Sequence, residues 1–186
     1  MEASNKMKFP NILLSHVELY VQNIVQMENF YTKKLGFVVT DRGNGKAGLV
    51  FLSRSPDEHH QIVLNPVAST SGMKSPVDHI SFRVSSIAEL RSFYESLKCI
   101  SEIKVQTVSH GSSWSIYFRD PENNRFEIFT ETPWYVNQPC KFEVDFELSD
   151  EMLIEFTHNK IQRMPGYTVA TKWHKSHKNM LQGITE

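Results

Sequence analysis

From Ser15 to Val21 the chain alternates: Val17, Leu19 and Val21 point one way, and His16, Glu18 and Tyr20 the other. A period of two marks a half-buried strand. The same alternation returns at Asp78–Val84, where Ile80, Phe82 and Val84 oppose His79, Ser81 and Arg83. After each strand the period changes to that of a helix. Ile24, Met27, Tyr31 and Leu35 form one apolar stripe, and Ile87, Leu90, Tyr94 and Leu97 form another. Ser86 with Glu89 reads as a capping box, Asn23 with Gln26 as a weaker one, and Gly36 as the stop of the first helix.

The two stretches are copies. His16 falls on His79 at an offset of 63 residues, and without a gap Ile24 falls on Ile87, Phe30 on Phe93 and Tyr31 on Tyr94. Three short strands are predicted after each helix: 37–41, 49–53 and 60–64 in the first copy, and 103–107, 115–119 and 126–130 in the second. Gly43-Asn44-Gly45, Ser55-Pro56-Asp57 and Asp120-Pro121-Glu122-Asn123-Asn124 supply turns. Residues 65–76, rich in Ser, Gly and Pro, read as a linker. The predicted layout is an N-terminal segment (1–11), a single domain of two βαβββ modules (12–65 and 77–131 within 12–131), and a C-terminal extension (132–186). That extension is expected to hold one helix, from Ser149 to Arg163, ended by Pro165-Gly166.

Composition narrows the class. Twenty Lys and Arg against 21 Asp and Glu leave a net charge of −1 over 186 residues, which excludes nucleic-acid binding driven by overall charge. No apolar run reaches the ~20 residues of a bilayer span, and residues 1–6 lack the apolar core of a secretory signal. Cys99 and Cys140 are the only cysteines, so a disulfide scaffold and an all-cysteine zinc site are excluded. A soluble, cytoplasmic protein with no membrane or nucleic-acid partner is expected.

Candidate chemistry follows from strand parity. His16 and His79 occupy equivalent places on the polar faces of equivalent strands, and Glu127 opposes Phe126 and Ile128 on the last strand. Taken singly, each histidine reads as a hydrogen-bonded or solvent-facing side chain, and Glu127 as a surface residue of an edge strand. Converging on one cleft, two imidazoles and a carboxylate would form a facial triad with positions open for substrate and O2. Fe(II) suits such a set best, with Mn(II) or another divalent ion as alternatives.

Leu14-Ser15-His16-Val17, Asp78-His79-Ile80-Ser81-Phe82 and Asp120-Pro121-x-x-Asn124-Arg125-Phe126-Glu127, on the paired βαβββ pattern, resemble the vicinal oxygen chelate superfamily. That superfamily includes glyoxalase I, fosfomycin-resistance enzymes, bleomycin-binding proteins and type I extradiol ring-cleavage dioxygenases. The resemblance spans roughly residues 12–135. It implies an α+β fold whose modules form an open barrel around a metal, with His16, His79 and Glu127 as ligands. Glyoxalase I typically adds a glutamate ligand on the fourth strand of the first module. Here Val63 stands nearest that position, which weakens a glyoxalase-like lyase or isomerase reading.

His59-His60-Gln61-Ile62-Val63 is similar to the His-His-x-x-Ala stretch of extradiol dioxygenases, which gives His60 the role of acid–base catalyst. Tyr117 stands ten residues before Glu127, as the active-site tyrosine of that group does, and His110 sits near a further active-site histidine. The bland readings are an exposed strand start for His60, aromatic packing for Tyr117 and a surface loop for His110. The resemblance implies Fe(II)-dependent cleavage of a catechol-type aromatic diol by O2, in a homodimer. A metal-dependent lyase or isomerase, or a non-catalytic small-molecule-binding protein, are the alternatives. Asn123 replaces a glycine common in relatives. Thr132-Pro133-Trp134-Tyr135 is placed to lid the cleft. Trp173-His174-x-x-His177, among Lys172, Lys175 and Lys178, reads as a basic solvated tail rather than a second metal site.

Overall fold

The computed structural model describes residues 12–43, 48–69 and 77–181. The segment 1–11, Asn44 and Gly45 of the first glycine turn, and residues 70–76 of the linker lie outside the described residues. The chain packs as two compact units, Asn11–Ile80 with Arg119–Phe126, and Ser81–Phe118 with Glu127–Glu186.

The first unit contains β1 (Val17–Val21), α1 (Ile24–Lys33), β2 (Val38–Arg42), β3 (Val50–Ser53) and β4 (Ile62–Pro66). Its sheet has the order β1-β4-β3-β2, with β1 parallel to β4 and the other pairs antiparallel. On β1 the expected parity holds: Val17 and Leu19 are half-buried and Val21 is buried, while Glu18 and Tyr20 are exposed. Helix α1 starts where the Asn23 side chain accepts from the Gln26 amide at 3.0 Å. Its buried face is Met27, Phe30 and Tyr31, at the i, i+3, i+4 spacing that brings side chains onto one side.

The second unit repeats the pattern with β5 (Ile80–Arg83), α2 (Ile87–Lys98), β6 (Gln106–Ser109), β7 (Ser113–Arg119) and β8 (Arg125–Glu131). The later elements are β9 (Trp134–Tyr135), β10 (Phe142–Glu143), α3 (Asp150–Ile161), β11 (Thr168–Val169) and α4 (Ala170–Leu181). The sheet order is β10-β6-β7-β8-β5, the same arrangement as in the first unit with β10 added at the β6 edge. Each sheet is open, and the fold is α+β with two βαβββ sheets. Ser86 caps α2 as expected, accepting from the Glu89 amide, and Glu89 returns a carboxylate to the Ser85 amide at 2.8 Å.

Three expectations shift. Strand β4 begins two residues later than predicted, leaving His59 and His60 in the bend before it, where the Gln61 amide bonds the Leu52 carbonyl one residue out of step with the Leu52–Ile62 pairing of the β3–β4 ladder. Strand β6 starts at Gln106, since Ile100–Ile103 close a turn through Ile103 N–H to Ile100 C=O. The described part of the extension, residues 132–181, holds two helices where one was expected. The basic stretch around Trp173 forms α4, none of whose residues is buried. Its charge hid the helix from an apolar-stripe reading, because the face it uses is made of aromatic and imidazole rings.

The Asp120–Asn124 turn is a dense polar construction in the first unit. Asp120 is 5% exposed. Its Oδ1 accepts the Glu122 and Asn124 amides at 3.0 and 2.8 Å, and Oδ2 accepts Asn124 Nδ2 at 2.9 Å and the Tyr31 hydroxyl at 3.1 Å. Glu122 in turn receives the Gln22 and Asn23 amides at 2.7–2.9 Å, placing a carboxylate at the start of α1 where the helix dipole favours it. Asn123 has φ 71°, the left-handed conformation that asparagine tolerates nearly as well as glycine. Much of the Asp-Pro-x-x-Asn motif is therefore architectural.

Burial raises the Asp120 carboxyl above its usual range, outweighing the bonds from Asn124, Tyr31 and Glu122 that lower it. A carboxyl raised in the folded state contributes stability that is full below its unfolded value, about pH 4, and is lost as pH rises through the folded value. Wild type is therefore expected to lose stability relative to Asp120→Asn as pH rises above about 4, read by urea denaturation across pH. At fixed pH, Asp120→Ala should cost about 2–4 kcal/mol. Wild type gaining stability relative to Asp120→Asn as pH rises would contradict the assignment.

Candidate active site

In the first unit, the chain before β1 and the bend before β4 bring His16 and His60 together, with ring centroids 4.3 Å apart. His60 also lies 5.2 Å from the Phe51 ring, and its Nδ1 is 2.9 Å from Nδ1 of His59. One of those two nitrogens must carry the proton and donate. Desolvation, followed by the neighbouring His16 and His59, holds His60 below the ordinary imidazole range. It is thus neutral and able to accept a proton near pH 7. The β1–β4 register sets Val63 opposite Glu18, on the His16 face of the sheet, and Val63 is 2% exposed.

His79 stands just before β5 in the same unit. Its Nδ1 is 2.7 Å from Asp78 Oδ1, and that oxygen also accepts Arg125 Nη1 at 2.8 Å. The His79 bond, ahead of the Arg125 charge, keeps the Asp78 carboxyl below its usual range. With Nδ1 engaged by a carboxylate, a metal would be taken at Nε2, the arrangement that outer carboxylates impose on ligating histidines.

The second unit gathers the other candidates. The ladder bonds Asp120 N–H to Asn124 C=O and Thr132 N–H to Ser112 C=O set Tyr117 opposite Glu127 on β7 and β8. Glu127 is 7% exposed and accepts a short hydrogen bond from the Ser81 hydroxyl. His110 Nε2 lies 4.0 Å from Glu127 Oε1 and 3.0 Å from the Tyr117 hydroxyl. His110 Nδ1 is 2.8 Å from the Cys140 carbonyl, which can only accept. Nδ1 therefore carries the proton, and in the neutral ring Nε2 accepts from Tyr117. Two residues along β7, the Ser115 hydroxyl is fully buried and has no hydrogen-bond partner, the kind of atom that a bound water or ligand satisfies.

Residues 132–167 hold the His110 loop. Thr132 Oγ1 donates to Gly111 C=O at 2.6 Å and Gln138 Nε2 to His110 C=O at 2.9 Å. Gly111 has φ 74°, and a Cβ there would stand 2.5 Å from Val136 Cγ2, so the extension packs directly on the loop backbone. Val136, Cys140 and Ile161 form a buried cluster beneath Trp134, Phe142, Met164 and Tyr167.

The structure thus pairs His16 with His60, ties His79 to Asp78, and groups His110, Tyr117 and Glu127. Among the described residues, no three His, Cys, Asp or Glu side chains stand as a group able to hold an ion. Taken unit by unit, the His79 imidazole is oriented by Asp78 as outer carboxylates orient ligating histidines, and the buried Glu127 carboxylate is an oxygen donor of the kind divalent ions accept. Sequence reasoning missed Ser81, Asp78 with Arg125, and the Cys140 carbonyl. Ser81 was visible as the residue two beyond His79 on the same strand face. A backbone carbonyl leaves no signal in sequence.

The sequence family described as the Glyoxalase/Bleomycin resistance protein/Dioxygenase superfamily matches residues 13–128. The chain belongs to that superfamily. It is 25% identical over 118 residues to biphenyl-2,3-diol 1,2-dioxygenase 2 of Rhodococcus globerulus, covering 61% of this chain and 60% of the relative. It is 27% identical over 135 residues to metapyrocatechase of Geobacillus stearothermophilus, covering 68% and 37%. The chain thus spans less than two thirds of the length of either relative. Among solved structures, a glyoxylase/bleomycin resistance protein/dioxygenase domain from Frankia sp. superposes with a TM-score of 0.56 at 24% identity, covering 66% of this chain and 100% of that one. A fosfomycin resistance protein from Listeria monocytogenes, complexed with Mn(II) and sulfate, superposes with a TM-score of 0.50 at 21% identity, covering 64% and 92%. Among the described residues, no helix is long and apolar enough to cross a membrane.

The tautomer has a direct spectroscopic consequence. Long-range 1H–15N correlation of histidine-labelled protein at pH 8 should show His110 protonated on Nδ1, and Tyr117→Phe should shift its Nε2 resonance. A His110 ring protonated on Nε2 would contradict the arrangement.

Proposed function

We propose that the protein is a metal-dependent dioxygenase of the extradiol type, opening the ring of a catechol-type aromatic diol with O2. The observation that carries this reading is the His110–Tyr117–Glu127 cluster, in which a buried carboxylate stands beside an imidazole of fixed tautomer and a phenol. The names of the two curated relatives, both of which the chain matches only in part, support the same class. His16, His79 and Glu127 would hold the ion, with Fe(II) preferred and Mn(II) the alternative. When bound, the ion supplies Lewis acidity that lowers the pKa of the diol hydroxyls and brings diol and O2 together.

The chain's own residues do the rest. His60, neutral near pH 7, accepts the proton of a diol hydroxyl at one of its ring nitrogens and returns it to the opened product. Phe51, 5.2 Å from His60, supplies an apolar neighbour that discourages protonation of the ring at rest. Tyr117 and His110 act as a pair: the phenol hydrogen is held on His110 Nε2 and can be turned toward an oxygen that gains negative charge as the ring opens. The Cys140 carbonyl keeps that imidazole in the one tautomer able to take the phenol hydrogen. Val63 leaves the ion with three protein ligands rather than four, which favours positions open to substrate over a lyase or isomerase site. Pairing through the open sheet edges in a homodimer belongs to the same reading.

The test is turnover. Protein loaded anaerobically with Fe(II) and given 2,3-dihydroxybiphenyl should form a yellow ring-opened product only when O2 is admitted, with one O2 consumed per product. His60→Ala should keep its metal content and lower kcat about 10²- to 10⁴-fold. Product formed without O2, or no product from iron-loaded protein with catechol or 2,3-dihydroxybiphenyl, would overturn the reading.

A further inference from the structure

The second unit carries a cavity of about 450 Å³ that the proposed chemistry does not use. Its floor is the continuation of the Glu127 face of β8. Phe129 and Glu131 follow Glu127 at the strand period, and Arg83 follows Ser81 on β5, reaching Glu131 at 3.2 Å. Its far wall is α4. The helix starts on an anchor, Ala170 N–H to Pro133 C=O at 2.9 Å, and then lays rings instead of aliphatic side chains on what lies beneath. Trp173 stacks on Tyr135 (centroids 4.7 Å apart, 15° between planes), His177 stacks on Trp173 (4.9 Å, 12°), and His174 reaches Glu131 at 3.4 Å.

A helix docked for stability buries an apolar stripe, because that burial is what stabilises it. Helix α4 buries no residue, and it roofs a cavity. The volume falls in the range of small-molecule sites. Most of the lining lies beyond residue 128, outside the stretch that the superfamily matches. The lining also states what it would take. Phe129, Trp134, Tyr135 and Trp173 present aromatic surface, which favours a planar ring. Arg83 lies over the Phe129 ring, with its guanidinium 5.4 Å from the centroid, and its side chain is 65% exposed. Glu131 occupies one edge of the guanidinium fork, and the remaining N–H donors suit a carboxylate. Glu131 is the single carboxylate of the lining, and Arg83, His174 and His177 are the basic side chains that share it.

We propose that this cavity binds a planar aromatic carboxylate, its ring against the Trp134, Tyr135 and Trp173 wall and its carboxylate on Arg83. The site is independent of ring cleavage and of the metal. The test is calorimetric titration of 2-naphthoate into the metal-free full chain, so its outcome is read apart from turnover. One saturable equivalent is expected, with 2-naphthol at least ten-fold weaker in wild type. Trp173→Ala and Arg83→Gln should each weaken 2-naphthoate at least ten-fold. Both side chains are at least partly exposed, so these variants should fold, and the naphthol comparison requires no variant. No saturable binding, equal affinity for naphthoate and naphthol, or affinity unchanged in both variants would overturn the proposal.

Discussion

The structure is organised around a carboxylate in the middle of a buried strand. Glu127 is flanked along β8 by Phe126 and Ile128, at 0 and 3% exposure, and is itself 7% exposed. An ionised carboxylate in such a place is tolerated only where polar groups are arranged to meet it. The hydroxyl of Ser81 comes from the neighbouring edge strand, and His110 and Tyr117 come from β7 and the loop before it. Register enforces this arrangement, since a slip of one residue on β8 would turn Phe126 or Ile128 to the polar face and Glu127 toward the helix side. The tight Asp120–Asn124 turn that joins β7 to β8 makes that slip costly.

Duplication explains why so much of the fold could be read from the chain. Period-two strands and helical stripes recur at a fixed offset, and the two sheets have the same strand order because the same apolar pattern was used twice. Capping residues Asn23, Ser86 and Ser149 marked helix starts correctly because a cap is a local interaction. What escaped was non-local. The starts of β4 and β6 are set by hydrogen bonds to distant or folded-back segments, and α4 is held by ring stacking that no hydrophobic count detects. Among the site residues, His60, Tyr117 and His110 could be named from motif likeness. The partners that orient their neighbourhood could not: a serine two positions beyond a histidine is ordinary, and the carbonyl of Cys140 belongs to the backbone.

The two modules have diverged in what surrounds them. Only the second is followed by an extension, and that extension does two separate jobs. Residues 132–167 pack on the Gly111 backbone and fix the His110 ring, a contact that needs a residue without a side chain at position 111. Residues 168–181 add a basic helix bound through aromatic rings, which leaves a cavity beneath it instead of a filled core. A superfamily module thus gains an imidazole of fixed tautomer and an additional aromatic-lined cavity without altering its strand order.

Whether Glu127 serves as a metal ligand is the point on which the functional account turns. Anaerobic calorimetric titration with Fe(II) should give one ion per chain in wild type. Glu127→Gln, which keeps the size of the side chain, should weaken that binding about 100-fold or more, beyond what loss of an outer partner usually costs. A wild-type protein that binds no divalent ion, or a Glu127→Gln variant that binds as tightly as wild type, would contradict it.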